Sequence, residues 1–152
     1  MIDSELTAFL EQGVGIHIAA RNAQLEPSGA RAIAVKVSED RLHLDVFVPE
    51  IAAGRILPNL ERNGQAAVVF GRPTDDRSCQ VKGVFVGSRA ATAAEEPFVR
   101  AQWAGFRDKL EQIGIPRATS MNWIVWPAIA IRLKATALFE QTPGPQAGAP
   151  LS

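Results

Sequence analysis

The chain has 152 residues, 47% of them hydrophobic and 21% charged. That describes one soluble globular domain and leaves no comfortable room for a second, since domains run on the order of 100–150 residues. The single cysteine, Cys79, excludes an intrachain disulfide framework and any multi-cysteine zinc site. Sixteen basic residues against sixteen acidic ones argue against a strongly charged partner such as duplex nucleic acid. No run approaches the ~18 apolar residues of a membrane span, and Met1-Ile2-Asp3-Ser4-Glu5 lacks a signal peptide's basic start, so a cytoplasmic protein is expected.

Asp3 to Gln12 opens on capping side chains, puts Leu6, Phe9 and Leu10 on one face and stops at Gly13, which predicts a short helix. From Val14 to Arg21 the period becomes two, with Val14, Ile16, Ile18 and Ala20 inward, as in a half-buried strand. Asn22 to Gly29 reads as a loop. Ala30 to Val37 reads as one strand with Ile33, Val35 and Val37 on one face and Ala32, Ala34 and Lys36 on the other. A Ser38-Glu39-Asp40 turn joins it to a strand over Arg41–Val48, forming a hairpin. Pro49 to Asn63 has helical spacing that Pro58 should kink or break. Gln65 to Phe70 is short and apolar, as in a buried strand, and Ser78 to Ala90 is a strand interrupted at Gly83 and Gly87, where bulges are expected. Phe98, Trp103, Phe106, Leu110 and Ile113 mark the longest helix. Thr92 to Glu95 resembles a capping box, although Pro97 moves the predicted helix start toward Glu95. A last strand is predicted over 122–139. The stretch from Gln141 has almost nothing to bury, so the predicted organisation is a domain over 1–140 and a disordered tail over 141–152. Six strands at hairpin spacing with a few helices predict a mainly β (α+β) fold, a six-stranded antiparallel barrel rather than a βαβ sheet.

Several chemistries fall away. His17 and His43 lie on the polar parity of their strands and gather no metal-ligand cluster. Cys79 has no nucleophile motif around it and reads as a half-buried thiol. Gly13-Val14-Gly15 begins a dinucleotide-type spacing, but Ile18 stands where the third glycine belongs and a strand follows instead of a helix. Among basic residues, Arg31 and Lys36 share a strand five positions apart, ~16 Å at strand rise. Their parity differs, so one ligand reaches both only if the strand twists or bulges, or if a second copy completes the site.

The order of elements resembles the pyridoxamine 5'-phosphate oxidase-like, FMN-binding split barrels. Arg31-Ala32-Ile33-Ala34-Val35-Lys36 is similar to the family's Arg-x-Val-Leu-Leu-Lys strand. Arg55 to Val68 resembles its basic residue, short helix, turn and apolar strand. Cys79-Gln80-Val81-Lys82-Gly83 is similar to its Arg-Gln-Val strand. The resemblance spans residues 3 to 139 and implies a homodimer holding FMN at its interface. It makes Arg31 and Arg55 phosphate partners and puts Lys36 and Gln80 near the isoalloxazine ring. Two departures are visible. Val46-Phe47-Val48-Pro49 replaces the family's hydroxyl-bearing pair, and the C-terminal Trp/Arg/His signature of the pyridoxine phosphate oxidases is missing. The resemblance thus implies either a flavin-dependent oxidoreductase acting on a small molecule or a non-catalytic module holding a flavin, a deazaflavin or haem.

Overall fold

The computed structural model describes residues 1–151. Its strands are β1 (Gly15–Arg21), β2 (Pro27–Ala32), β3 (Ala34–Val37), β4 (His43–Pro49), β5 (Gln65–Gly71), β6 (Ser78–Ala90) and β7 (Ala128–Glu140). The helices are α1 (Ser4–Glu11), α2 (Glu50–Ala53), α3 (Leu57–Asn63) and α4 (Glu96–Gln112). All seven strands form one antiparallel sheet in the order β2-β1-β5-β6-β7-β4-β3. The sheet curls until β2 approaches β4, enclosing a core of Ile16, Ile18, Val68, Phe70, Val46, Leu133 and their neighbours. The class is the expected one, mainly β with flanking helices. Among the described residues no helix is long and apolar enough to cross a membrane.

The strand count is seven where six were predicted, because the stretch read as one strand over 30–37 breaks at Ile33. Ala32 and Val35 belong to the barrel core, whereas Ile33 and Ala34 both join a second cluster with Phe47, Val99, Trp103 and Phe106. Two consecutive residues therefore face the same side, and the alternation shifts by one. With both faces buried here, every side chain from Ala32 to Val35 is apolar and the period-two signal carries no phase. After the shift, Arg31 and Lys36 both point to the outside of the barrel, as their contacts with that second cluster show: Arg31 lies over the Phe106 ring and Lys36 over the Phe98 ring.

Other local signals behave as their chemistry requires. The Asp3 carboxylate accepts the Leu6 N–H at 2.8 Å and caps α1. The helical stretch over 49–63 divides into α2 and α3, with Pro58 in the first turn of α3, where its missing N–H costs nothing. The ladder of β6 with β7 slips between Lys82 and Gly83 and again between Phe85 and Gly87, at the two predicted glycines. Glu95 closes the capping box with Thr92 on a single 3₁₀ turn ahead of α4. The last strand begins at Ala128, leaving 122–127 outside the sheet. The segment after Glu140 turns back along β7, with the Leu151 N–H donating to the Leu138 carbonyl at 2.8 Å and the Leu151 side chain packing on the core. Composition alone read this segment as having nothing to bury; Leu151 supplies what it buries.

Cys79 is buried, and burial pushes its thiol up to about 12. At neutral pH it is an unreactive thiol. Iodoacetamide is expected to label the folded protein slowly and the denatured protein fast; equal labelling rates would show that this end of the barrel opens freely.

Candidate functional site

α4 packs across the outside of β3. Gln102, 5% exposed, uses its amide as a missing strand: Oε1 accepts the Val35 N–H at 3.0 Å and Nε2 donates to the Val35 carbonyl at 2.8 Å. The Glu11 carboxylate accepts the next free edge N–H, that of Val37, at 2.7 Å. The edge of β3 is thus blunted by side chains. The same contacts set α4 between the two basic residues of the strand pair. Phe98, beside Lys36, and Phe106, beside Arg31, are eight residues apart on α4, about 12 Å along its axis.

Arg31 is the more informative of the two. Its guanidinium lies 4.5 Å from the centroid of Trp123 and 5.9 Å from that of Phe106, while Trp123 stacks at 5.1 Å on Trp103. It is partly buried, and desolvation lowers its pKa from the ordinary arginine value. Among the described residues it makes no hydrogen bond or ion pair. Stacking occupies the face of a guanidinium and leaves its N–H edge free. A desolvated arginine with a free edge is the chemistry of an anion site. Next to it lies a largely apolar cavity of about 280 Å³, bordered by Ile33, Ile51, Trp103 and Trp123.

Register extends the site across the sheet. Arg31 pairs with His17, His17 with Val69, Val69 with Gln80 and Gln80 with Phe139, so these residues form one outward row. Arg31 and Gln80 stand three strands apart, about 14 Å at the usual strand spacing. The adjacent row is nearly free of side chains: Gly29, Ala19, Ala67, Lys82 and Ala137. Its members Ala19, Ala67 and Lys82 border a concave region of about 470 Å³ that reaches Arg21, Gln65 and Val84. A flat ring can lie against such a floor at van der Waals distance from the sheet. Lys82 stands over the Phe139 ring at 5.1 Å, beside Gln80. Burial, and then the charge of Arg31, lower the His17 pKa below its ordinary value, so its imidazole is neutral at pH 7.

Of the four residues singled out from the sequence, the structure therefore brings Arg31 and Gln80 into one row. Arg55 lies in the exposed turn between α2 and α3, on the β2 side: Ile51 and Ala52 of α2 border the cavity at Arg31, and Asn59 of α3 donates to Ser28 Oγ of β2 at 2.9 Å. Lys36 stands apart, beyond α4. Sequence reasoning missed His17 and Trp123 as members of this site. The β1–β2 register would have found His17, had the loop been read as five residues instead of eight. Nothing in the sequence places Trp123 over Arg31.

No family model and no curated protein matches the chain. Solved structures do. An F420 reductase superposes with a TM-score of 0.57 at 16% identity, over 86% of this chain and 93% of its own. HupZ of Group A Streptococcus gives 0.57 at 16% identity, over 97% and 100%. A putative pyridoxamine 5'-phosphate oxidase of Lactobacillus delbrueckii gives 0.54 at 11% identity, over 90% and 92%. The chain is a split barrel. An FMN-binding protein of Syntrophomonas wolfei shares the fold, with a TM-score of 0.52 at 13% identity over 91% of this chain and 87% of its own. The outward row from Arg31 to Phe139 and the floor beside it are the candidate site.

Proposed function

We propose that this split barrel binds a flavin nucleotide on that face and acts as a flavin-dependent oxidoreductase on a small molecule. The observation that carries the reading is Arg31: partly buried, set over Trp123, without an acceptor among the described residues, and in one outward row with Gln80, beside a second row of mostly glycine and alanine. A flavin mononucleotide has matching ends, a phosphate and a flat ring about one molecule's length away. Arg31 would hold the phosphate, with Arg55 on the same side of the molecule. Gln80 and Lys82 would face the ring edge, where a cation favours the reduced, anionic form. The bound flavin supplies the electron transfer; the protein supplies orientation and electrostatics. Neighbours described as an F420 reductase and an FMN-binding protein support the ligand class, deazaflavin included.

A second copy of the chain completes the site in this reading. Val69, Val84 and Val86 are exposed on β5 and β6, and a homodimer through this face would bury them over the ligand. A non-catalytic role has one observation in its favour, since none of the side chains in the two rows is an acid. His43 holds Asp40 through Nδ1 at 2.6 Å, which leaves its Nε2 unused, but it lies outside the two rows; His17 is the imidazole within them.

The His17 titration tests the placement of the phosphate. An anion beside Arg31 cancels the positive field that helps depress His17, so FMN is expected to raise the His17 pKa toward its ordinary value. Riboflavin, which lacks the phosphate, should move it much less. The readout is the imidazole proton shift against pH, with and without each ligand. Equal titration curves with FMN and riboflavin would place the phosphate elsewhere.

A further inference from the structure

The outside of the sheet carries a second constellation, remote from Arg31. Asp45 on β4 is 8% exposed. Its carboxylate is approached by Arg132 Nη1 at 3.6 Å and by Arg89 Nη2 at 3.8 Å, ion-pair separations too long for hydrogen bonds. Both arginines make their hydrogen bonds elsewhere. Arg132 Nη2 donates to Ser38 Oγ at 3.0 Å, and Arg89 holds the two oxygens of Glu95 at 2.9 and 2.7 Å. Lys36 is the cross-strand neighbour of Asp45 on its other side and has no ion pair among the described residues. Carboxylates this well buried normally collect hydrogen bonds. Among the described residues this one collects none at bonding distance, and its oxygens reach an opening in front of it. A cavity of about 230 Å³ is bordered by Asp45, Gly87, Ser88, Arg89 and Arg132. The second bulge of β6 forms its wall, and a side chain added at Gly87 would meet nothing within 4 Å.

We propose that this cavity is a binding site for a small 2-hydroxycarboxylate. Arg132, on the cavity wall, has unused N–H donors for the ligand's carboxylate, Asp45 has unused lone pairs for its hydroxyl, and Lys36, beside Asp45, adds its charge to the local field. Lys36, Arg89 and Arg132 set against Asp45 and Glu95 leave one positive charge in excess, which a monoanion neutralises. The hydroxyl is the discriminating group. A bare carboxylate in the same place meets the Asp45 charge with no donor to offset it, so specificity comes from a repulsive element as well as an attractive one. The volume lies below the ~300 Å³ at which pockets begin to take drug-sized ligands and suits a molecule of a few carbons. The site is independent of flavin binding, because Gly87 is seven residues along β6 from Gln80, roughly 20 Å.

The test is a ¹H–¹⁵N correlation titration of the full chain with L-lactate and, separately, propionate. Lactate is expected to shift the Gly87 and Ser88 amides saturably, with propionate at least fivefold weaker. Arg132→Gln should weaken lactate at least tenfold. Asp45→Asn should remove the preference, bringing propionate within twofold of lactate. Lys36→Gln, on an exposed side chain, gives a second variant should Asp45→Asn fail to fold, with an expected threefold or greater loss of lactate affinity. Shifts that never saturate, equal affinity for the two acids in the unaltered protein, or shifts centred on His17 and Arg31 would each overturn the proposal.

Discussion

Replacing Gln102 with alanine is expected to destabilise the protein by about 2–5 kcal/mol, a large part of the ~5–15 kcal/mol that holds a domain folded. The loss does not come from the helix, where alanine is the better residue. It comes from Val35, fully buried, whose N–H and C=O are both satisfied by the one amide. Truncation strands a buried donor and a buried acceptor together, each worth about 1–3 kcal/mol unsatisfied. Gln102→Glu should make stability fall as pH rises through the range in which its carboxyl ionises, since the protonated acid can still donate to the Val35 carbonyl whereas the ionised form sets a buried charge against it. Urea unfolding of the three proteins measures the losses, across pH for the glutamate variant, and hydrogen exchange of the Val35 amide localises them. An alanine variant within 0.5 kcal/mol of the parent would mean that water or a neighbouring strand replaces the amide at no cost. The prediction bears on the site as well. α4 carries Trp103 and Phe106, which with Trp123 form the aromatic wall against Arg31, so a helix loosened at Gln102 frees the arginine it orients.

Arg31→Ala is expected to weaken FMN binding by about 1.5–3 kcal/mol, the range for a lost charged hydrogen bond, or roughly 10- to 150-fold. Riboflavin affinity should change far less, because riboflavin has no phosphate to lose. The ratio of the two affinities is therefore the quantity to measure, by fluorescence titration of both ligands against both proteins. Arg31→Lys should recover only part of the loss, since an ammonium can pair with phosphate but cannot stack on Trp123 and present a planar edge at once. An FMN-to-riboflavin ratio that is the same with and without Arg31 would remove the arginine from the phosphate site.

The barrel was legible in the sequence because its strands are half buried. Gly15 to Arg21 and Ser78 to Ala90 alternate inside and outside, and the glycines that interrupt β6 are the ones at which its ladder slips. The break at Ile33 was not legible, because α4 buries the outer face there and apolar residues on both sides erase the phase. That break turns Arg31 and Lys36 outward together despite their opposite parity, although Lys36 lies beyond α4 and outside the row that carries Arg31. The role of Gln102 was hidden for a different reason: a polar residue within a helical pattern reads as a solvated position, and only the path of α4 over β3 makes it an edge cap. Arg31 and Gln80 came from a resemblance of short motifs, and register alone shows that they share a row. His17 followed from that register, whereas Trp123 reaches Arg31 from a segment outside the sheet and depends on tertiary packing throughout.

The central claim, that the row from Arg31 to Gln80 is a flavin site, is tested most directly by loading the purified protein with FMN, desalting it and recording its visible absorbance. Close to one FMN retained per chain, with the ring bands shifted from those of free FMN and the shift altered by Gln80→Ala, is the predicted result. A colourless protein after desalting, together with no change in FMN fluorescence at any protein concentration, would contradict it.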